Sequence, residues 1–175
     1  AGRYEKYLPF YYDLVGRGFM VAPTGVSDSH SHTGGAVGLS ATFWGVGTND
    51  VQECTDDVLR AAIDARHTIV TRGPYLEMSV APGTMLVGTS ELQVTARTPS
   101  WMQVDRLILV RNGGAVETVD GTAATFTLDA AEDSYYVVIA EGDTPMGGPW
   151  GSQTPWAMSA PIWADVSGDG WTPPL

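Results

Sequence analysis

Ser27-Asp28-Ser29-His30-Ser31-His32 places an aspartate and two of the chain's three histidines within six residues. Asp28 and His30 stand at i and i+2, so on an extended segment both side chains leave the backbone on one side. A carboxylate oxygen beside an imidazole nitrogen is a ligand pair for a divalent transition metal such as zinc, manganese or iron. An ion so held acidifies a bound water and yields a hydroxide nucleophile near neutral pH. Such ions usually take three or four protein ligands, and His32 is a candidate third. The opposing reading is that Asp, Ser and His are ordinary loop residues. His67 opens an apolar run and is assigned a structural place. Asp165-Val166-Ser167-Gly168-Asp169-Gly170 has the spacing of an opening calcium loop, but no downstream Glu follows, and a plain turn is the better reading. Cys54 is the single cysteine, which excludes an internal disulfide. It is expected as a buried or partly buried thiol, not a nucleophile.

The elements around the Asp-His pair are mixed. Residues 4–17 predict a short aromatic helix, with Pro9 at a kink or in the first turn and Gly16 and Gly18 at the end. Residues 18–25 predict a buried strand, and 26–38 a polar, Gly-rich loop leaving it. A second strand is expected over 39–46. Thr55 is a plausible N-cap for a helix over 56–66, with Asp56 and Asp57 in the first turn and an apolar stripe of Val58, Leu59, Ala62 and Ile63. A short strand over 68–71 stops at Arg72-Gly73-Pro74. After Pro74 the helical period vanishes and alternation takes over. Strands are expected over 75–81, 91–97, 104–112, 114–119, 124–128 and 134–142, with a closing strand over 161–166. Asn112-Gly113 is a strong hairpin signal. Short strands at even spacing predict a small antiparallel sandwich.

Composition bounds the partners. Of 175 residues 43% are hydrophobic, enough for a packed core, and 21 Gly with 11 Pro suit many short strands. Twenty acids against nine bases give a net charge of −11, without a Lys/Arg cluster. A nucleic-acid surface and an anionic membrane surface both need basic residues, so neither is expected. No apolar run approaches the ~18 residues of a membrane span.

The string GRGFMVAPTGVSDSHS, the strand ATFWGV and the run HTIVTRGPYLEMSV together resemble the last part of a PHP-type (polymerase and histidinol phosphatase) metallohydrolase. The bacterial branch whose barrel ends in a T-N-G-P turn and runs into a β-domain is the more similar. Its closing Asp/Gly-rich segment resembles ADVSGDGWTPP, 164–174. The resemblance covers residues 10–80 and the last dozen. It implies a distorted (β/α) barrel whose final D-x-H metal motif falls on Asp28 and His30. It also implies an H-x-H motif upstream, which this chain lacks. Arg72 stands where the family has Asn, and would either reach a substrate anion or cap the barrel.

The expected fold is therefore α+β and mainly β. Residues 1–73 would be the C-terminal part of a metal-binding barrel and 74–175 an antiparallel β-sandwich. The expected activity is phosphoesterase-like hydrolysis by a metal-bound hydroxide on a small-molecule substrate. It would be incomplete without an N-terminal segment or partner chain that completes the barrel and covers the apolar strands. A secreted or periplasmic location is expected, otherwise a cytoplasmic one. The alternative is a non-catalytic β-sandwich module that binds carbohydrate or protein, with Trp101, Trp150, Trp156 and Trp163 as stacking or packing residues.

Overall fold

The computed structural model describes residues 3–30, 37–129 and 131–175. Helix α1 spans Arg3–Gly16, strand β1 Ala41–Trp44 and helix α2 Asp56–Asp64. Strands β2 (Thr68–Arg72), β3 (Tyr75–Met78), β4 (Met85–Val87) and β5 (Ser90–Arg97) follow. Next come β6 (Arg106–Arg111), β7 (Gly114–Asp120), β8 (Ala123–Leu128) and β9 (Ser134–Glu141). A 3-10 turn at Gly148–Trp150 precedes β10 (Trp156–Ser159) and β11 (Ile162–Asp165). The chain is mainly β, with antiparallel and mixed sheets.

Strand β9 organises the larger sheet. Its sequence SYYVVIAE is apolar at every position between its ends, so both faces seek cover. Along one edge it pairs with β6, from Arg111↔Tyr136 to Arg106↔Glu141. Along the other, β10 takes residues 139–141 and β11 takes 134–136. Beyond β10 lie β2 and then β1, both antiparallel, while β4 adds to β11 in parallel. The second sheet is β3-β5-β8, antiparallel throughout.

Alternation along β9 divides its side chains between two apolar layers. Tyr136, Val138 and Ala140 face Leu92, Val94, Leu107, Phe126 and Leu128 in the core between the sheets. Tyr135, Val137 and Ile139 join Val15, Met158 and Trp163 on the opposite face. That face is covered by α1, where the Tyr135 hydroxyl donates to the Tyr12 carbonyl at 3.0 Å. The C-terminal tail closes beside it: Leu175 N–H donates to the Gly16 carbonyl. Burial pushes the Tyr12 hydroxyl up to about 12.

The turn chemistry follows the sequence. Asn112 (φ 50°) and Gly113 (φ 84°) are both left-handed, as a two-residue hairpin between β6 and β7 requires. The Thr55 side chain caps α2 by accepting from Val58 N–H. Gly73-Pro74 is the corner where the chain leaves the larger sheet at β2 and enters the smaller one at β3. Gly73 has φ 117°, and Thr71 Oγ1 donates to the Pro74 carbonyl.

The expected barrel segment is corrected by this topology. A (β/α) barrel joins parallel neighbours through helices, whereas β1 and β2 are antiparallel, from Ala41↔Thr71 to Trp44↔Thr68. The far edge of β2 is taken by β10, again antiparallel. Residues 18–25, expected as a barrel strand, form none. Pro23 offers no N–H. Gly25 is held instead by a side chain: Thr42 Oγ1 accepts from its N–H and donates to its carbonyl. The resemblance to a PHP-type metallohydrolase is thus not carried by the architecture. Strand β4 had no sequence expectation, and β10 lies in 143–161, which the sequence marks as a Pro/Gly/Trp-rich loop; its Trp156–Ser159 pairs instead with β2 and β9.

Glycine positions give a direct test of the packing. A Cβ at Gly83 would lie 2.0 Å from the Ala65 carbonyl oxygen, and its φ is 89°; at Gly114 the nearest atom would be 3.7 Å away and φ is ordinary. Gly83→Ala should cost at least ~2 kcal/mol in denaturant unfolding, and Gly114→Ala should change stability by less than ~1 kcal/mol. Equal effects would contradict the packing of the β3–β4 connection against the end of α2.

Candidate functional site

The residues expected to hold a metal lie on the surface. His30 Nε2 is 3.3 Å from Asp28 Oδ1, with side chains 87% and 73% exposed. Asp28 adopts φ 50°, a left-handed conformation that Asp tolerates in turns. His32 lies outside the described residues. His67 is half-buried against Gly45 and away from that pair. Among the described residues no group of three or more His, Cys, Asp or Glu is gathered as a metal shell. The reading of the chain as a PHP-type metal-dependent hydrolase rested on a barrel that would bring further ligands to this pair. The β architecture removes that premise, so the enzyme assignment is corrected. Cys54, expected buried, is exposed.

The Asp165 loop is a turn held by its own carboxylates. Asp165 Oδ1 accepts from Gly168 N–H at 2.7 Å and Oδ2 from Gly170 N–H at 2.9 Å. Asp133 does the same from β9's approach, accepting from Val166 and Thr172 N–H. These bonds fix the C-terminal tail across the sheet and leave Trp171 Nε1 donating to the Ser134 carbonyl.

Arg72 is the interior cation of the sandwich end. It is buried, and its Nε donates to the Thr154 carbonyl at 2.7 Å and its Nη1 to Gln153 Oε1 at 2.9 Å. A guanidinium presents several donors in a rigid plane, so one side chain can pin two successive residues of a loop. The loop pinned is the Pro/Gly/Trp-rich segment between β9 and β10. It folds back on itself through Met146 N–H to the Gln153 carbonyl and Gly147 N–H to the Gly151 carbonyl.

That loop brings Trp150 beneath Trp101. Their rings stack with centroids 5.2 Å apart and planes 21° from parallel. Trp101 is 54% exposed, whereas Trp156 and Trp163 are buried in the sheet. Beside the pair, Gln103 Nε2 donates to Asp105 Oδ1, and Asp105 Oδ2 accepts from Asp143 N–H. Arg106 grips Asp143 with two nitrogens at 2.8 and 2.9 Å and Glu141 with a third at 2.7 Å. The hydrogen bonds that Arg106 donates to Asp143 and Glu141 raise its pKa, and Arg106 holds the Asp143 carboxyl below its ordinary range. With its folded pKa lowered, this contact is fully present above the usual carboxylate range and is lost only as pH falls through the lowered folded value.

The sequence offered Arg72 and four of the six tryptophans, Trp101, Trp150, Trp156 and Trp163, yet not their arrangement. Trp101 and Trp150 are far apart in sequence and share no periodicity. The only signal was the density of Pro, Gly and Trp over 143–161.

No family model matches the chain, and no curated protein matches it. Among solved structures it is similar to fibronectin(III)-like modules of Clostridium thermocellum CbhA, at 12% identity and a TM-score of 0.37. The alignment covers 58% of this chain and 61% of that one.

Removing the Arg72 guanidinium strands partly buried acceptors on Gln153 and Thr154. Arg72→Met should cost ~1–3 kcal/mol and shift the tryptophan emission as Trp150 loses its support. Asp28→Ala and His30→Ala should each change stability by less than ~0.5 kcal/mol, because both side chains are exposed. Denaturant unfolding followed by fluorescence reads all three, and an unchanged Arg72→Met protein would remove the loop-anchor role.

Proposed function

We propose that this chain is a non-catalytic β-sandwich module that works by docking against another polypeptide. One observation carries this reading. Among the described residues Phe43 on β1, Tyr75 on β3, and Leu59 and Ile63 on α2 are exposed on elements that pack against one another. Soluble surfaces scatter such residues singly, and a concentration of them marks an interaction face.

Helix α2 gives the detail. Its expected apolar stripe is split: Ala62 is buried, Val58 is half-buried, and Leu59 and Ile63 remain exposed. Covering a Leu or Ile completely is worth roughly 1.5–3 kcal/mol relative to leaving it in water. The helix therefore has stabilisation left to gain from a partner. Strand β1 is the outermost strand of its sheet path, and Phe43 and Tyr75 meet edge-to-face at 5.1 Å beside it. A cleft of about 720 Å³ runs between β1 and β3, lined by Phe43, Trp44, His67, Tyr75, Leu76 and Met78. An open strand edge beside an apolar cleft suits an added extended segment.

The rim indicates the partner's charge. Asp50, Glu53, Asp56, Asp57 and Asp64 are exposed here against a single exposed base, Arg60. The fitting partner is a polypeptide with an apolar centre and Lys or Arg at its margin.

In isolation the chain should self-associate or bind a hydrophobic dye. The double variant Leu59→Glu/Ile63→Glu should lose much of both, with a melting temperature within a few degrees of the parent because the replaced residues are solvent-facing. Light scattering coupled to gel filtration and dye fluorescence make the comparison. A parent chain that is monomeric and binds no dye would refute the docking face.

A further inference from the structure

We propose a second binding site, separate from the docking face: the Trp101–Gln103–Asp105 edge at the sandwich end is a subsite for a neutral polysaccharide. Residues 101–105 alternate outward and inward, with Trp101 and Gln103 exposed and Met102 and Val104 buried. Trp101 sits in a turn closed by Met102 N–H on the Pro99 carbonyl, and the chain runs from it through Gln103 and Asp105 into β6. This sets an apolar plate, an amide and a carboxylate next to one another along the chain. The plate is rigid. One face of the Trp101 indole rests on Trp150, and the loop carrying Trp150 is pinned by Arg72. Little ordering entropy is then lost when something covers the other face.

The polar members are oriented but not saturated. Gln103 spends one N–H on Asp105, leaving its carbonyl oxygen and second N–H without a partner among the described residues. Asp105 accepts two hydrogen bonds, from Gln103 and from Asp143 N–H, and a carboxylate has room for about two more. A pyranose matches this set: its C–H face lies on an indole while its ring hydroxyls offer both donors and acceptors at the margin. Asp105, Glu141 and Asp143 crowd this edge, and among the described residues Arg106 is the base paired with them. That balance repels uronate, sulfate and phosphate groups, which singles out uncharged sugars.

Native affinity electrophoresis tests this with the whole chain in gels containing β-glucan, xyloglucan or galactomannan, against alginate and an empty gel. At least one neutral polysaccharide should retard the chain, and alginate should not. Trp101→Ala should weaken retardation about tenfold or more, Gln103→Ala should weaken it less, and Val116→Ala, at an exposed apolar position on β7, should leave it unchanged. If Trp101→Ala does not fold, Gln103→Ala alone must still weaken binding. Retardation by none of the neutral polysaccharides, by alginate alone, or equally for parent, Trp101→Ala and Gln103→Ala overturns the proposal.

Discussion

The two-sided burial of β9 is the constraint on which the rest of the structure depends. A strand apolar on both faces cannot lie at the surface of a sandwich. It must have a sheet on one side and some further layer on the other. The β3-β5-β8 sheet supplies the first through Leu92, Val94, Phe126 and Leu128. The second is assembled from both chain ends: α1 contributes Val15, and the tail packs Trp171 edge-to-face on Trp163. The Asp133 and Asp165 carboxylates fix that tail by accepting backbone N–H groups. The helix and the terminal loop are thus parts of one packing solution.

The same constraint explains where the cover runs out. Strand β9 is satisfied by β6, β10 and β11 on its edges and by two apolar layers on its faces. At the margin of that sheet β1 alternates exposed and half-buried, and α2 rests on it with Ala62 as its buried contact. Apolar side chains between residues 19 and 63 therefore stay in water. At the opposite extreme, Arg72 turns a flexible Gly/Pro segment into a fixed support for Trp150. A buried cation that donates to a main-chain carbonyl and a side-chain amide costs less than an unpaired one and specifies a loop position.

Much of the local structure was legible because it depends on near neighbours. The α2 cap at Thr55, the Asn112-Gly113 hairpin and the strands between 90 and 141 follow from alternation, apolar runs and turn chemistry. The change of character at Gly73-Pro74 was legible too, and it marks a sheet-to-sheet corner. What failed was the partner of each strand. The apolar runs 39–46 and 68–71 are compatible with a parallel barrel or an antiparallel sheet, since both bury such strands. Choosing between them depends on β10, whose Trp156–Ser159 lies in a Pro/Gly-rich neighbourhood that masks a strand. The Asp28-His30 pair was visible as chemistry, but its exposure is a tertiary property. The Trp101–Trp150 stack is of the same kind, created by a loop that Arg72 and the loop's own backbone bonds hold in place.

If the proposed docking face is real, the isolated chain divides into a closed sandwich and a face that a partner would cover. Amide hydrogen exchange reads that division directly, because protection scales with the free energy of the opening that exposes each N–H. The account predicts that β9 amides exchange only through global unfolding, while those of α2 exchange through local opening at least about a hundredfold faster. Protection of α2 equal to that of β9 would contradict it, since the helix would then be fully secured by the chain itself.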